Sequence, residues 1–135
     1  MKGEKILIDT SVWIKYFKNQ NEQFTEKVEE LLNFSEVCVP KVVLAELIQG
    51  AKSEKEISVI GEFIEAFNLL DQSYDTWIKA GRLSFSMKRK GTTVSIVDCY
   101  IAVIAVENDC KIFSLDEHFK SIKKFLRFEL IRVCP

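Results

Sequence analysis

The sequence predicts an α/β fold in which a central parallel sheet is flanked by helices, giving a three-layer sandwich. Short aliphatic runs alternate with longer helical stretches along the chain. Strands that alternate with helices form βαβ units, which build parallel sheets with helices on both faces. A chain of 135 residues also has the usual size of one domain, so we expect a single domain over residues 1–135.

Five aliphatic runs predict the strands of this sheet. Each run is short, rich in Ile, Val, Leu or Phe, and bounded by polar residues or proline, as is typical of buried strands. The predicted strands cover residues 6–8, 37–39, 68–70, 111–115 and 128–133.

Apolar residues at helical spacing predict the helices between the strands. Phe24, Val28 and Leu31 recur along one face, for example, and Pro40 and Gly50 stand where a helix can begin and end. The predicted helices cover residues 11–17, 24–34, 41–51, 54–67, 73–90, 96–107 and 117–125.

The charge balance argues against a protein that binds nucleic acid through its net charge alone. The formal net charge is −1, so any polyanion must be held locally. The best local candidate is the basic run Lys88, Arg89 and Lys90, although Lys and Arg are mostly exposed whatever the function. A second basic cluster comprises Lys120, Lys123, Lys124 and Arg127.

The sequence also predicts a cytoplasmic protein that is not inserted in a membrane. The longest apolar run, residues 99–106, is too short to cross a bilayer, and the N-terminal region lacks the pattern of a signal peptide. No CxxC spacing occurs among Cys38, Cys99, Cys110 and Cys134. We interpret the cysteines as reduced packing residues, which agrees with the cytoplasm.

Two acidic residues directly follow predicted strands. Asp9 ends the run of Ile6 to Ile8, and Asp116 comes after the strand at residues 111–115. Parallel sheets place their binding sites outside the carboxyl ends of strands, so both positions are candidates for function. The competing interpretation is that each Asp only caps the helix that follows it.

Two further acids interrupt apolar helices. Glu46 lies in VVLAELIQG and Asp98 in SIVDCYIAVIA, where a carboxylate is unfavourable unless it has a partner or reaches solvent. Asp98 also fits a capping box with Ser95, and Glu46 could occupy an exposed position on its helix.

A common cleft at the carboxyl edge of the sheet would accommodate all four acids. Carboxylates brought together repel each other unless a cation neutralises them. Oxygen ligands without a nearby His or Cys favour Mg²⁺ or Mn²⁺ over zinc. Such ions support hydrolysis of phosphodiester bonds. His118 is the only histidine, and we interpret it as a surface residue on the first turn of a helix.

The motifs IDTSVWI, VVLAELIQG, SIVDCYIAVIA and IFSLDEHF, in this order, resemble the PIN-domain ribonucleases. The resemblance is to the small VapC-type toxins of prokaryotic toxin–antitoxin pairs in particular, and it extends over nearly the whole chain. It implies a PIN-like fold and cleavage of RNA that depends on Mg²⁺ or Mn²⁺.

The resemblance also implies roles for individual residues. Asp9, Glu46, Asp98 and Asp116 match the four acids of the family, which are the implied catalytic and metal-binding residues. Asp9 and Asp98 are the expected direct metal ligands, and Glu46 would complete the set around the ion or help to take a proton from the attacking water. Hydroxyl positions that orient the acids are matched by Ser11 and Ser114, with Thr10 beside them. Ser114 stands where Thr is frequent in such proteins. The expected partners are an RNA substrate, a cognate antitoxin and a second copy of the chain.

Two rival functions follow from the same residues. A doubly wound phosphatase with an Asp nucleophile needs a second Asp two positions after the first, and Ser11 stands there instead. A PIN-like binding module without catalysis, or an orphan nuclease in RNA processing, remains as the alternative. The presence of all four acids favours an active enzyme.

Overall fold

The computed structural model describes residues 3–131 and contains a five-stranded sheet with seven helices. The strands are β1 (Lys5–Ile8), β2 (Glu36–Pro40), β3 (Asn68–Leu70), β4 (Lys111–Phe113) and β5 (Leu130–Ile131). The helices are α1 (Thr10–Lys18), α2 (Glu22–Phe34), α3 (Lys41–Gln49), α4 (Glu54–Glu65), α5 (Thr76–Arg89), α6 (Ile96–Glu107) and α7 (His118–Ile122).

All strand pairs in the sheet are parallel, in the order β3-β2-β1-β4-β5. The chain adds strands on one side of β1 and then returns to add β4 and β5 on the other. Parallel crossovers are right-handed, so this reversal places helices on opposite faces of the sheet. The predicted parallel sandwich is confirmed. The reversal also creates a switch point between β1 and β4, where such sheets bind ligands.

The core lies between the sheet and its helices. Helix α6 is apolar on all sides, and every side chain from Cys99 to Ala105 is buried. Trp13 of α1 is fully buried as well, and its indole N–H donates to the carbonyl oxygen of Ile8 over 3.1 Å. Both helices, α1 and α6, are thus anchored in the core next to the acidic residues at their N-termini.

Side-chain caps explain where three helices begin. Asn21, Ser53 and Ser95 accept hydrogen bonds from the backbone N–H groups of Phe24, Glu56 and Asp98, respectively. A cap of this kind satisfies one of the unpaired donors at a helix N-terminus.

All five predicted strands and seven predicted helices occur, and the differences lie at their ends. β4 is shorter than predicted because Ser114 and Leu115 leave the ladder to form the site. Helix α5 begins at Thr76 rather than Ser73, since Ser73 and Thr76 bond to each other ahead of it. Helix α7 is limited to His118–Ile122. Only part of the predicted strand at 128–133 is seen, as β5, and residues 132 and 133 lie outside the described residues.

Three cysteines, Cys38, Cys99 and Cys110, are free thiols buried in the core, which agrees with their predicted packing role. Cys134 lies outside the described residues. None of the helices in the described part of the chain combines the length and the apolarity that crossing a membrane requires.

A polar network fixes the start of α5 against the end of α6. The buried Thr76 hydroxyl donates to Glu107 over 2.7 Å, and Lys79 and Ser73 donate to the same carboxylate over 3.0 and 3.2 Å. Burial raises the pKa of Glu107, but the three hydrogen bonds outweigh it, and the net pKa lies below its ordinary value.

We predict that Glu107→Gln lowers the free energy of unfolding by about 1–2 kcal/mol at pH 7. A folded-state pKa below the unfolded value of 4.5 stabilises the fold above pH 4.5, and this contribution is lost as the pH falls through the lower folded-state pKa. Urea unfolding of wild type and variant, at pH 7 and near pH 3, measures the difference. An equal gap at both pH values would contradict this assignment.

Candidate functional site

Asp9 lies at the switch point, directly after β1. Its backbone N–H donates to the carbonyl oxygen of Phe113 over 3.0 Å, which continues the β1–β4 ladder past the last paired residues. Its side chain is 5% exposed and accepts hydrogen bonds from the hydroxyls of Ser11 and Ser114 over 2.9 and 2.7 Å. Asp9 occupies the N-cap position of α1, but its carboxylate makes no capping bond. The interpretation that the Asp9 side chain only caps α1 is therefore wrong.

Glu46 projects from α3 toward the start of α1. Its Oε1 accepts a hydrogen bond from the Thr10 hydroxyl over 2.7 Å, and the residue is only partly exposed. Glu46 is therefore not on a solvent face, and its partner is the residue next to Asp9.

Asp98 stands in the first turn of α6. Ser95 caps this turn by accepting from the Asp98 N–H, which is one of the two bonds of the predicted capping box. The Asp98 side chain is 15% exposed, and its Oδ2 lies 3.0 Å from Nδ1 of His118. Burial raises the pKa of the Asp98 carboxyl, and the negative charges of Asp116 and Asp9 raise it further, against the hydrogen bond with His118.

Asp116 follows β4 and faces the same point. Its backbone N–H donates to the Ser114 hydroxyl oxygen over 2.9 Å, and its Oδ1 accepts from the His118 backbone N–H over 2.9 Å. Asp116 thus does support the start of α7, as the capping interpretation expects. The same Oδ1 lies 3.1 Å from Nδ1 of His118. The hydrogen bond to Asp98 and the charge of Asp116 raise the pKa of His118.

The structure brings the four predicted acids to one edge of the sheet in two groups. One ligand atom each from Asp98, Asp116 and His118 lies within 4.8 Å of the others, the only such group among residues 3–131. Asp9 is near enough for its charge to act on Asp98, but Asp9 and Glu46 are not members of that group. Thr10, Ser11 and Ser114 each donate a hydrogen bond to one of the acids.

The donor set fits a divalent cation. Carboxylate oxygens from Asp98 and Asp116 converge, and burial, together with the charges of Asp116 and Asp9, raises the pKa of Asp98 despite the hydrogen bond with His118. Hard oxygen ligands of this kind suit Mg²⁺ or Mn²⁺. The roles of the individual acids as ligands stay a prediction.

His118 is the residue that the sequence analysis missed. It does stand at the first position of α7 and is half exposed, as predicted, but its ring lies against two of the acids. The expectation that no histidine lies near the carboxylates is therefore wrong. Its position two residues after Asp116 was the available signal, since a carboxylate often contacts a group two residues away in a turn.

The basic run lies at the same end of α6 as Asp98. Lys88, Arg89 and Lys90 are exposed at the C-terminus of α5, and the connection 90–95 joins them to the N-terminus of α6. This placement suits contact with a polymer that extends beyond the site. Their role in binding RNA stays a prediction.

Ser114→Ala is expected to lower the free energy of unfolding by about 1–3 kcal/mol, because the buried Asp9 carboxylate loses a donor and the Asp116 N–H loses an acceptor. Ser114→Thr keeps the hydroxyl and should retain most of the stability. Urea unfolding of the three proteins tests this, and an Ala variant as stable as wild type would refute it.

Comparison with known proteins gives a consistent result. The family model described as PIN domain matches residues 6–125. The "tRNA(fMet)-specific endonuclease VapC" of Salmonella typhimurium is 33% identical over 102 residues, which cover 73% of this chain and 76% of that protein. "Ribonuclease VapC1" of Methanocaldococcus jannaschii is 28% identical and covers 90% of this chain and 83% of that protein.

Solved structures show the same fold. DNA-bound VapBC from Salmonella typhimurium matches with a TM-score of 0.77 and 26% identity, covering 98% of this chain and 100% of that one. VapBC-5 from Mycobacterium tuberculosis, a member of the VapBC family of toxin–antitoxin systems, matches with a TM-score of 0.67 and 24% identity, covering 97% and 100%. The chain has a parallel sheet with acidic residues at its switch point, and the family model matches it over residues 6–125. It therefore belongs to the PIN domain family.

Proposed function

We propose that this protein is a divalent-metal-dependent endoribonuclease and the toxin of a toxin–antitoxin pair. The observation that carries the proposal is the convergence of Asp98 and Asp116 beside Asp9 at the switch point of the sheet. The names of the VapC relatives, which are ribonucleases, support RNA as the substrate. RNA and the machinery that uses it reside in the cytoplasm, which we propose as the site of action.

Each residue of the site has a different role in the proposed reaction. Asp9, Asp98 and Asp116 would hold Mg²⁺ or Mn²⁺, which when bound offsets the charge of the phosphate and makes water a better nucleophile. Ser11 and Ser114 fix the Asp9 carboxylate. Thr10 holds Oε1 of Glu46, and we propose that Oε2 of the same carboxylate accepts a proton from the attacking water.

The surface beside the site supports the proposed antitoxin partner. A groove of about 250 Å³ opens next to Glu46 and is lined by Ile14, Phe17, Leu47 and Ile60 among others. An apolar protein segment placed there would cover Glu46. The exposed Ile78 and Phe85, seven residues apart on α5, lie on one helix face and suit the proposed homodimer.

Asp98→Asn is the sharpest test of the proposed activity. It removes a charge that is unfavourable in the metal-free fold, so the variant should fold while its metal-dependent cleavage falls by at least about 100-fold. The substrate is a pool of total tRNA and ribosomal RNA, together with initiator tRNA, assayed with Mg²⁺, with Mn²⁺ and with EDTA. Discrete fragments are expected from wild type with either metal and none with EDTA.

Asp109→Asn is the matched control for that experiment. Asp109 follows the opposite end of α6, is exposed, and has a positive φ of 56° that Asn tolerates well. This variant should cleave as wild type does. If Asp98→Asn cleaves RNA at the wild-type rate, or if EDTA leaves cleavage intact, the proposed chemistry is wrong. Wild type that is silent on every RNA would favour a binding module.

Replacing Lys88, Arg89 and Lys90 together by Gln tests their proposed contact with the RNA backbone. For each phosphate that the variant no longer neutralises, the slope of log affinity against log salt should fall by about 0.7. Binding is measured by fluorescence anisotropy on the Asp98→Asn background, so that the RNA is not cleaved. The control replaces Lys123, Lys124 and Arg127 by Gln, an equal charge change at the second cluster. Equal slopes for both triple variants and the parent would contradict the proposal.

A further inference from the structure

Nδ1 of His118 lies between two carboxylates, although the residue itself is exposed. It lies 3.0 Å from Oδ2 of Asp98 and 3.1 Å from Oδ1 of Asp116, two carboxylates that come from different elements of the fold. Both separations are hydrogen-bond distances. One ligand atom each from Asp98, Asp116 and His118 lies within 4.8 Å of the others, so a single ion at this position is within reach of all three.

The backbone holds the imidazole in that position. The His118 N–H donates to the same Oδ1 of Asp116 over 2.9 Å, and the next residue, Phe119, is fully buried in the core. His118 is thus anchored through its own main chain and through its neighbour. Because the imidazole is already held in place, it would lose less rotamer entropy on binding an ion than a long, mobile side chain would.

We propose that His118 is a nitrogen ligand of the metal site and makes it selective for Mn²⁺ over Mg²⁺. This inference rests on the proposed function and specifies the ion at the same site. Imidazole is a borderline ligand that suits first-row transition ions, whereas Mg²⁺ prefers oxygen and gains little from nitrogen. His118 would hold the ion through an unprotonated Nδ1 with the remaining ring proton on Nε2, so a doubly protonated ring would release one proton to solvent and the hydrogen bond to Asp98 would be replaced.

The chain offers a clean spectroscopic test, because His118 is its only histidine. Pulsed electron paramagnetic resonance of the Mn²⁺ complex detects nitrogen atoms bonded to the ion. Protein without a polyhistidine tag is prepared with natural histidine and with ¹⁵N-labelled histidine. We expect ¹⁴N modulation of the spin echo in the first sample and its replacement by a ¹⁵N coupling in the second, with both signals absent in His118→Asn.

Calorimetric titration supplies a second readout that does not depend on catalysis. His118→Asn should bind Mn²⁺ about 10-fold more weakly than wild type. Its affinity for Mg²⁺ should change by less than about 3-fold, since the oxygen ligands are untouched. Asp109→Asn serves as the control and should bind both ions as wild type does.

Failure of this inference is distinguishable from failure of the proposed function. The ligand role is overturned, even if RNA is cleaved, by either of two results. One is Mn²⁺ that binds without a histidine nitrogen coupling, and the other is an equal loss of affinity for both ions in His118→Asn. The absence of any Mn²⁺ binding at millimolar concentration overturns it too. A clear nitrogen coupling in a protein that cleaves no RNA supports the ligand role and rejects only the nuclease.

Discussion

The site depends on the parallel pairing of β1 with β4. Ile8 pairs with Phe113, and one more backbone hydrogen bond, from the Asp9 N–H to the Phe113 carbonyl, extends the ladder to the first acid. This register sets Ser114 beside Asp9 and directs Asp116 to the same edge. A shift of one residue in either strand would turn alternate side chains to the other face and separate these groups. Backbone pairing thus sets the position of three site residues, and their side-chain hydrogen bonds then orient the acids.

The second requirement is a rigid support for Asp98. From Cys99 to Ala105 helix α6 is buried on all sides, so the carboxylate in its first turn belongs to a helix that is anchored in the core. That placement is electrostatically unfavourable, since burial and the charges of Asp9 and Asp116 all disfavour the ionised form. A carboxyl with a raised pKa in such a place is typical of functional sites, and this supports the proposed role of Asp98 as a metal ligand.

Hydroxyl residues next to the acids reduce the cost of burying carboxylates close together. Ser11 and Ser114 satisfy Asp9, which is nearly inaccessible to water, and Thr10 satisfies Glu46. Among residues 3–131, no buried polar side-chain atom lacks a hydrogen-bond partner. The acids are thereby held apart in fixed orientations, and the repulsion that remains falls on Asp98 and Asp116, next to His118.

The sequence by itself determined the parallel α/β fold and nominated the four acids, because hydrophobic periodicity and strand-end positions are local signals. It also supplied the cap at Ser95, since a capping box spans only four residues. Local patterns are weaker at the ends of elements, where tertiary contacts compete with the ladder. This explains why β4 stops at Phe113 and why α5 starts at Thr76 rather than three residues earlier.

Only the tertiary structure decided which side chains share a space. It separated Asp9 and Glu46 from the tight group of Asp98 and Asp116, and it brought His118 into that group. Distances of about 3 Å between residues twenty positions apart depend on how α6 packs against α7, and no local pattern encodes that packing. The fold therefore decided which side chains form this group, whereas the four acids themselves were already evident from the sequence.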